Sequence, residues 1–563
     1  MKIFIESPAM QLNYDSVLDE KLAKIHLITQ YFIPQNENRK REIDFCLQKN
    51  IENPFIDQIH LLNEQIYSFD HIFTPNTPRM VQTNMEKRLS FKHILEYIRK
   101  SNIEGFIVVS NADIFFDDGL RKMKYTTLPF RKEILALLRW EYSSQITDLG
   151  NCPLFGPRAD SQDTWIFHTS MIKEYIAPRT EKLLDIVFGK LGCDNKIAYI
   201  FKIMGFDVIN DPLFIRTYHY HESSVRTYTT QDRYSPPYVS IFPARTDIEP
   251  QLQTGLSNGL TLNYLKFDEG NSILREYISA KLEKKEAFII PRIARSENMI
   301  AFIGELYKLN GNRFTPEQIN YMSTAAPKMK TNTGVYIPDT ENVVKYSQMY
   351  LKAFENCEIY TAWESWGSVY KNISASHDFI SQKYHQKQSI WAYTYDIFHH
   401  IYKQPFTHSF HGKRLLIISM FENSFRQQIE KRNLLYDGID LFPDCEFLFI
   451  KPPMTHGNTL CKDFGKELEM FYRRLDVFKG KYDVALLSCG GYGNLICNYI
   501  YENHKSSAIY VGGVLQMWFG VYGQRWLEER PEILKLFMNE HWKRPSLDER
   551  PDGFSEIENG CYW

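Results

Sequence analysis

Short apolar runs that alternate with segments of helical period leave few architectures open to this chain. Ile25-His-Leu-Ile-Thr-Gln-Tyr-Phe-Ile33 reads as a strand ended by Pro34, and Arg39 to Asn50 as a helix with Ile43, Cys46 and Leu47 on one face. Gln58-Ile-His-Leu-Leu62 is a second strand and Phe91 to Lys100 a second helix. Gly105-Phe-Ile-Val-Val-Ser110 is a central strand that runs straight into Asn111-Ala-Asp113-Ile-Phe-Phe-Asp117-Asp118. Strand, helix, strand repeated in this way predicts an α/β, Rossmann-like layer, which places ligands at the carboxyl ends of its strands.

At 563 residues the chain is longer than one core usually organises. Around 229 to 260 the pattern gives way to Thr, Gln, Ser, Pro and Gly without period. The expected organisation is therefore a domain over 1–245, a linker over 246–270 and a second α/β domain over 271–563. That second domain opens with a helix from Asn271 to Lys285 and a strand Ala287-Phe-Ile-Ile-Pro-Arg292. Two apolar strands follow, Arg414-Leu-Leu-Ile-Ile-Ser419 and Tyr482-Asp-Val-Ala-Leu-Leu-Ser488, with an aromatic, helical stretch from about 320 to 405 before them.

Lys and Arg number 66 against 68 Asp and Glu, so no overall field favours nucleic acid as a partner. The local basic stretch Asn38-Arg-Lys-Arg-Glu42 reads as a helix start with solvated charges. Nine scattered cysteines without C-x-x-C or zinc-type spacing fit a reducing compartment. Met1-Lys-Ile-Phe-Ile-Glu6 meets charge too early for a signal peptide, and no stretch is long enough to span a bilayer. The expectation is a soluble, cytoplasmic protein, with peripheral membrane contact left open.

Three features carry chemistry. Asp113 follows a buried strand and offers a hard oxygen to a divalent cation, with Asp117 or Asp118 in support; a solvated acidic turn is the competing reading. Asp194, in Gly192-Cys-Asp-Asn195, opens a helix that ends at Gly205, and taken alone reads first as an N-cap. His219 and His221 alternate along an extended segment, so one face carries both, and either completes a metal site.

The order Asp113, Asp194, His219/His221 resembles the family-2-like glycosyltransferases of GT-A fold, over residues 21 to 230. The resemblance implies an inverting, metal-dependent transfer of a sugar from a nucleotide-sugar donor to an oligosaccharide or glycan acceptor. It implies Mn²⁺ or Mg²⁺ on Asp113 with a histidine, and Asp194 as the base that deprotonates the acceptor. This chain departs from that family where Asn111-Ala-Asp113 stands for D-x-D and Cys193 for the acid before the base. Arg88-Leu-Ser-Phe91 and Ser161-Gln-Asp163-Thr-Trp165 are similar to elements of the subgroup with the N-A-D-I form. Arg88, Asn111, Asp163 and Trp165 are accordingly expected to bind substrate, the last two by holding the acceptor sugar. Trp165 as a core residue is the alternative.

In the C-terminal half, Ser488-Cys-Gly490-Gly491-Tyr-Gly493 follows a strand and precedes a helix, where glycines let backbone N–H groups approach a phosphate. With Gly513 and Gln516 downstream and Arg292 and Glu297 upstream, this half is similar to the GT-D glycosyltransferases, although Ala294 replaces the glycine of their R-[IF]-G-x-x-E-like segment. The likeness implies a second nucleotide-sugar site and a bifunctional chain. A non-catalytic carbohydrate-binding or assembly module is the alternative, and a nucleotidyltransferase is the rival for the whole. That rival wants a basic glycine-rich loop after the first strand, where Pro34-Gln-Asn-Glu-Asn38 stands instead.

Overall fold

The computed structural model describes residues 9–13, 18–69, 72, 79–156, 158–176, 178–223, 225, 232–235, 237–244, 261–262, 264–362, 374–453, 455 and 460–563. Residues 226–231 and 246–260, and with them most of the expected linker, lie outside that set. Contacts divide the chain into two units, Met1–Leu265 and Lys266–Trp563.

Both units are α/β. In the first, strands β1 (Ile25–Thr29), β2 (Gln58–Asn63), β3 (Met80–Asn84), β4 (Phe106–Ser110), β6 (Glu133–Leu137), β8 (Thr164–His168) and β9 (Asp207–Ile209) form a Rossmann-like sheet in the order β3-β2-β1-β4-β8-β6-β9. A second sheet, β5 (Ile114–Phe116), β10 (Thr217–Tyr220) and β7 (Trp140–Tyr142), stands in that order. The helices used below are α1 (Glu37–Glu52), α2 (Phe91–Lys100), α3 (Thr169–Tyr175) and α4 (Cys193–Ile203).

Strands β1 and β4 are buried along their whole length, which is why they read as unbroken apolar runs. Their alternate side chains, Ile25, Leu27, Phe106 and Val108, join Ile43 and Leu47 of α1 and Ile166 of β8 in one core. The other face of β8 sends Trp165 and Phe167 toward Phe91 of α2, and Trp165 also stacks on Phe201 of α4.

Strand β8 is antiparallel to both β4 and β6, while β1, β2, β3 and β4 pair in parallel, as do β6 and β9. The reversal has a local consequence. The amino end of β8 lies at the carboxyl edge of β4 and β6, so residues just before Thr164 share that edge with residues that follow Ser110 and Leu137. The Asn111 N–H donates to the Asp163 carbonyl at 3.3 Å, and the Asp163 N–H to the Leu137 carbonyl at 3.2 Å.

The second unit holds a parallel sheet in the order Ile289–Ile290, Ser507–Tyr510, Val484–Ser488, Arg414–Ser419, Glu446–Ile450. Its first helix spans Tyr264–Glu283, beginning before Asn271. Inside it, the Asn271 side-chain amide donates to the Gln404 carbonyl at 2.9 Å and accepts from the Phe406 N–H at 2.8 Å. Among the described residues no helix is long and apolar enough to cross a membrane.

Candidate active site

The carboxyl edge of the first sheet opens on a cleft of about 740 Å³. Asp113, His219, His221, Asp163, Asp194 and Arg88 all line it, as does Asn111, so residues from 88 to 221 in sequence converge on one space.

Asp113 sits between β4 and β5, 7% exposed. The register of β10 decides its neighbours. His219 pairs with Ile114 on one side and Glu141 on the other, and the Tyr220 N–H donates to the Asp113 carbonyl at 3.0 Å. His219 Nε2 thereby lies 3.2 Å from Asp113 Oδ2, and its Nδ1 lies 3.0 Å from Glu141 Oε2. His221 Nδ1 is 3.8 Å from the same Asp113 oxygen, and its Nε2 donates to the Val225 carbonyl at 3.1 Å.

These three side chains each bring one ligand atom within 4.8 Å of the others, and together they make a candidate Asp–His–His site for a divalent metal. The donor chemistry fits. With His219 Nδ1–H on Glu141 and His221 Nε2–H on Val225, the free lone pairs are those that face Asp113, and a carboxylate behind a ligating imidazole fixes its ring. Without an ion, positive charge compensates Asp113. Burial opposes its ionisation, but His219 and Arg39 outweigh that and hold the carboxyl far below the usual range. Burial likewise opposes the charge on His219, yet Asp113 and Glu141 lift it to about 9.

Arg39 comes from the first turn of α1, whose N-cap Asn36 accepts from the Arg39 N–H at 3.0 Å. Its Nη2 donates to Asp113 Oδ2 at 2.5 Å and its Nη1 to Glu42 Oε2 at 3.0 Å, and both residues are buried. The basic stretch at 38–42 is therefore a helix start, as its sequence predicts, but Arg39 is a buried site residue and not a solvated charge.

Arg139, just past β6, ties the candidate Asp–His–His site, through Glu141, to Asp163. Its Nε donates to Glu141 Oε1 at 2.8 Å and its Nη1 to Asp163 Oδ2 at 2.9 Å, while Asn111 Nδ2 donates to Asp163 Oδ1 at 3.1 Å. Both oxygens of Asp163 are thus engaged by the protein. Arg88 donates from Nη2 to the Gly189 carbonyl at 3.3 Å.

Asp194 is the second residue of α4. The N-cap is Gly192, in the left-handed region at φ 76°, where a Cβ would meet the Tyr238 ring at 3.1 Å. Asp194 is therefore not the cap its position allows. Its Oδ1 accepts from the Cys193 thiol at 3.3 Å. Surrounding protein, with the charge of Asp163 second, raises its carboxyl to about 7.

Two expectations change. Trp165 is 1% exposed and holds Phe91 at its edge and Phe201 against its face, so it is core and offers no ring to a sugar. Asp117 faces away from the cluster, accepting from the Gly119 N–H at 2.8 Å and from the Tyr218 hydroxyl at 2.9 Å. Sequence reasoning passed over Arg39, Glu42, Arg139 and Glu141. Arg39 had a signal: it lies four residues before Ile43 and seven before Cys46, in phase with the buried face of α1. Glu141 had none, because only the pairing of β7 with β10 brings it to His219.

In the second unit, the glycines expected to line a nucleotide-sugar site are close-packed. A Cβ at Gly490 would meet the Thr333 carbonyl at 2.3 Å, at Gly491 the Val335 side chain at 2.6 Å, at Gly493 the Tyr510 ring at 2.5 Å, and at Gly513 the Tyr562 ring at 2.9 Å. Gln516 is fully buried, its Oε1 accepting from Trp526 Nε1 at 2.7 Å and its Nε2 donating to the Tyr562 carbonyl at 2.8 Å. Arg292 lies over the Tyr510 ring and donates to the Val511 carbonyl at 3.1 Å; Glu297 is buried in the first turn of helix Arg295–Leu309.

No family model and no curated protein sequence matches the chain. Among solved structures it is similar to a mannosyltransferase from Pyrobaculum calidifontis, in complex with GDP-Man and Mn²⁺, at 11% identity and a TM-score of 0.26. That alignment covers 39% of this chain and 61% of the mannosyltransferase, so the chain spans about three-fifths of that protein. It is also similar to a 4-diphosphocytidyl-2C-methyl-D-erythritol synthase from Anaerococcus prevotii, at 12% identity, a TM-score of 0.23, and coverage of 38% of this chain and 95% of that one. Scores this low leave function to the chemistry of the site.

Proposed function

We propose that the first unit is an inverting, metal-dependent glycosyltransferase domain of GT-A type over residues 1–245, using a nucleotide-sugar donor and a glycan acceptor. The observation that carries this reading is the shared cleft, with Asp113, His219 and His221 on one wall and Asp194, raised to about 7, on another. A divalent ion on the first three would neutralise the leaving diphosphate. Two imidazoles in the set favour Mn²⁺ over Mg²⁺, which prefers oxygen donors.

Asp194 accepts the proton of the acceptor hydroxyl while that oxygen bonds to the anomeric carbon and the bond to the diphosphate oxygen breaks. A base poised near neutrality suits that step. Asp163 is held by Arg139 and Asn111, and burial first, with the Asp163 charge second, keeps Asp194 basic. Arg88 and Asn111 line the substrate cleft.

The test is turnover by the purified chain across a panel of nucleotide-sugars and glycan acceptors with Mn²⁺ or Mg²⁺. Release of nucleoside diphosphate from the nucleotide-sugar supports glycosyl transfer, whereas release of pyrophosphate from a nucleoside triphosphate and a sugar phosphate, assayed in parallel, supports nucleotidyl transfer instead. Full turnover by both Asp113→Ala and Asp194→Ala would overturn the site.

For residues 271–563, we propose a second nucleotide-sugar site around Arg292 and Glu297, at the carboxyl end of strand Ser507–Tyr510. Loss of a second linkage alone in Arg292→Ala supports it; weaker acceptor binding with the same product supports a carbohydrate-binding module. A cytoplasmic location belongs to the same proposal, in keeping with nine free thiols.

A further inference from the structure

Asp113 Oδ2 is the meeting point of two arrangements that exclude each other. Arg39 Nη2 occupies it at 2.5 Å, while His219 and His221 aim their ring nitrogens at the same oxygen from 3.2 and 3.8 Å. A divalent ion drawn to that oxygen meets a guanidinium already there, and two cations at one carboxylate oxygen repel.

The guanidinium is not free to leave altogether. Its Nη1 is fixed to Glu42 Oε2 at 3.0 Å, and Glu42 is itself fixed, accepting from the Ser223 N–H at 2.6 Å and the Ser223 hydroxyl at 2.8 Å, two residues past His221. Glu42 therefore joins α1 to the segment that carries a metal ligand. One arm of the arginine fork is anchored and the other faces the cleft. Lysine has no second arm, so only arginine can release Asp113 without releasing Glu42.

We propose that Arg39 is a placeholder cation that becomes a diphosphate ligand: it neutralises Asp113 until an ion binds there, then turns its released Nη2 to the donor's diphosphate. This rests on the metal-site reading given above. A buried guanidinium arm without an anion is costly, and the diphosphate is the anion that arrives beside the ion. Metal and diphosphate then bind with positive coupling, because each removes a cost that the other would otherwise meet.

The experiment titrates the full chain with Mn²⁺ alone, and with inorganic pyrophosphate at saturating Mn²⁺, in the wild type and in Arg39→Ala, Arg39→Lys and His219→Ala. Arg39→Ala is expected to bind Mn²⁺ alone about 5-fold or more tightly and pyrophosphate about 10-fold or more weakly. Arg39→Lys is expected to keep Mn²⁺ binding near wild type and to lose pyrophosphate affinity, since one ammonium cannot serve Glu42 and the diphosphate together. His219→Ala is expected to lose Mn²⁺ binding.

If Arg39→Ala leaves both affinities within about 2-fold of wild type while His219→Ala loses Mn²⁺, the handover is wrong and the metal site stands. If His219→Ala binds Mn²⁺ as the wild type does, the metal site is wrong and the handover falls with it. Should Arg39→Ala not fold, Arg39→Lys decides: unchanged pyrophosphate affinity overturns the proposal.

Discussion

Both units are built on an α/β sheet, mixed in the first and parallel in the second, and they fill its carboxyl edge in different ways. In the first, the residues past β4, β6 and before β8 are charged and line a cleft: Arg39 and His219 balance Asp113 and Arg139 balances Asp163, while all of them still face open space. In the second, the glycines past Val484–Ser488 and Ser507–Tyr510 are filled against Thr333, Val335, Tyr510 and Tyr562, and Gln516 is saturated by Trp526 and Tyr562. The sheet provides the edge; what fills it sets how much open space it leaves to a ligand.

The sharpest way to break this contrast is to remove the base. Asp194→Asn keeps the shape and loses the proton acceptor, so kcat is expected to fall by about 10²- to 10⁴-fold, measured as released nucleoside diphosphate. If turnover survives, Asp194 is not the base and the charged cleft of the first unit loses its proposed role.

A pH profile of kcat comes next. In the proposed role Asp194 works only when deprotonated, and its carboxyl is raised to about 7. Activity should therefore be full above that value and lost as pH falls through it, by about 10-fold per unit on the acidic side. A profile flat from pH 5 to 8 would remove Asp194 from the rate equation.

The second unit offers the converse test. Gly493→Ala places a Cβ 2.5 Å from the Tyr510 ring, and overpacking of this kind costs about 1–3 kcal/mol. Thermal unfolding should show that loss while Mn²⁺ affinity stays at the wild-type value. A variant of unchanged stability would mean that this turn has room for a ligand after all.

The smallest effect is expected at Trp165. Trp165→Phe leaves a small cavity between Phe91 and Phe201 and costs about 1–2 kcal/mol in stability. KM for the acceptor should not move. A raised KM with unchanged stability would return Trp165 to the cleft.

Much of the first unit was legible residue by residue. The apolar runs at 25–29, 58–62 and 106–110 are strands because central parallel strands bury both faces, and helix Phe91–Lys100 has the bounds its period predicts. Asp113, Asp194 and the two histidines were legible as candidates by type and order. The sequence could not show that Trp165 is core, since both faces of β8 are buried and it is Phe91 of α2 and Phe201 of α4, far away in the chain, that cover its ring. Nor could it show that the glycines near 490 are close-packed, because a glycine that clears a phosphate and one that clears a tyrosine ring look alike in a chain.

Local order, then, decided where strands and helices lie and which acids follow a buried strand, because period and burial act over a few residues. Tertiary structure decided the rest of the site. The reversal of β8 delivers Asp163 to Asn111 and Arg139, the register of β10 sets His219 between Asp113 and Glu141, and the entry of α1 lays Arg39 on Asp113. Each contact joins residues far apart in the chain, and its energy depends on distance in space, which no spacing in sequence encodes.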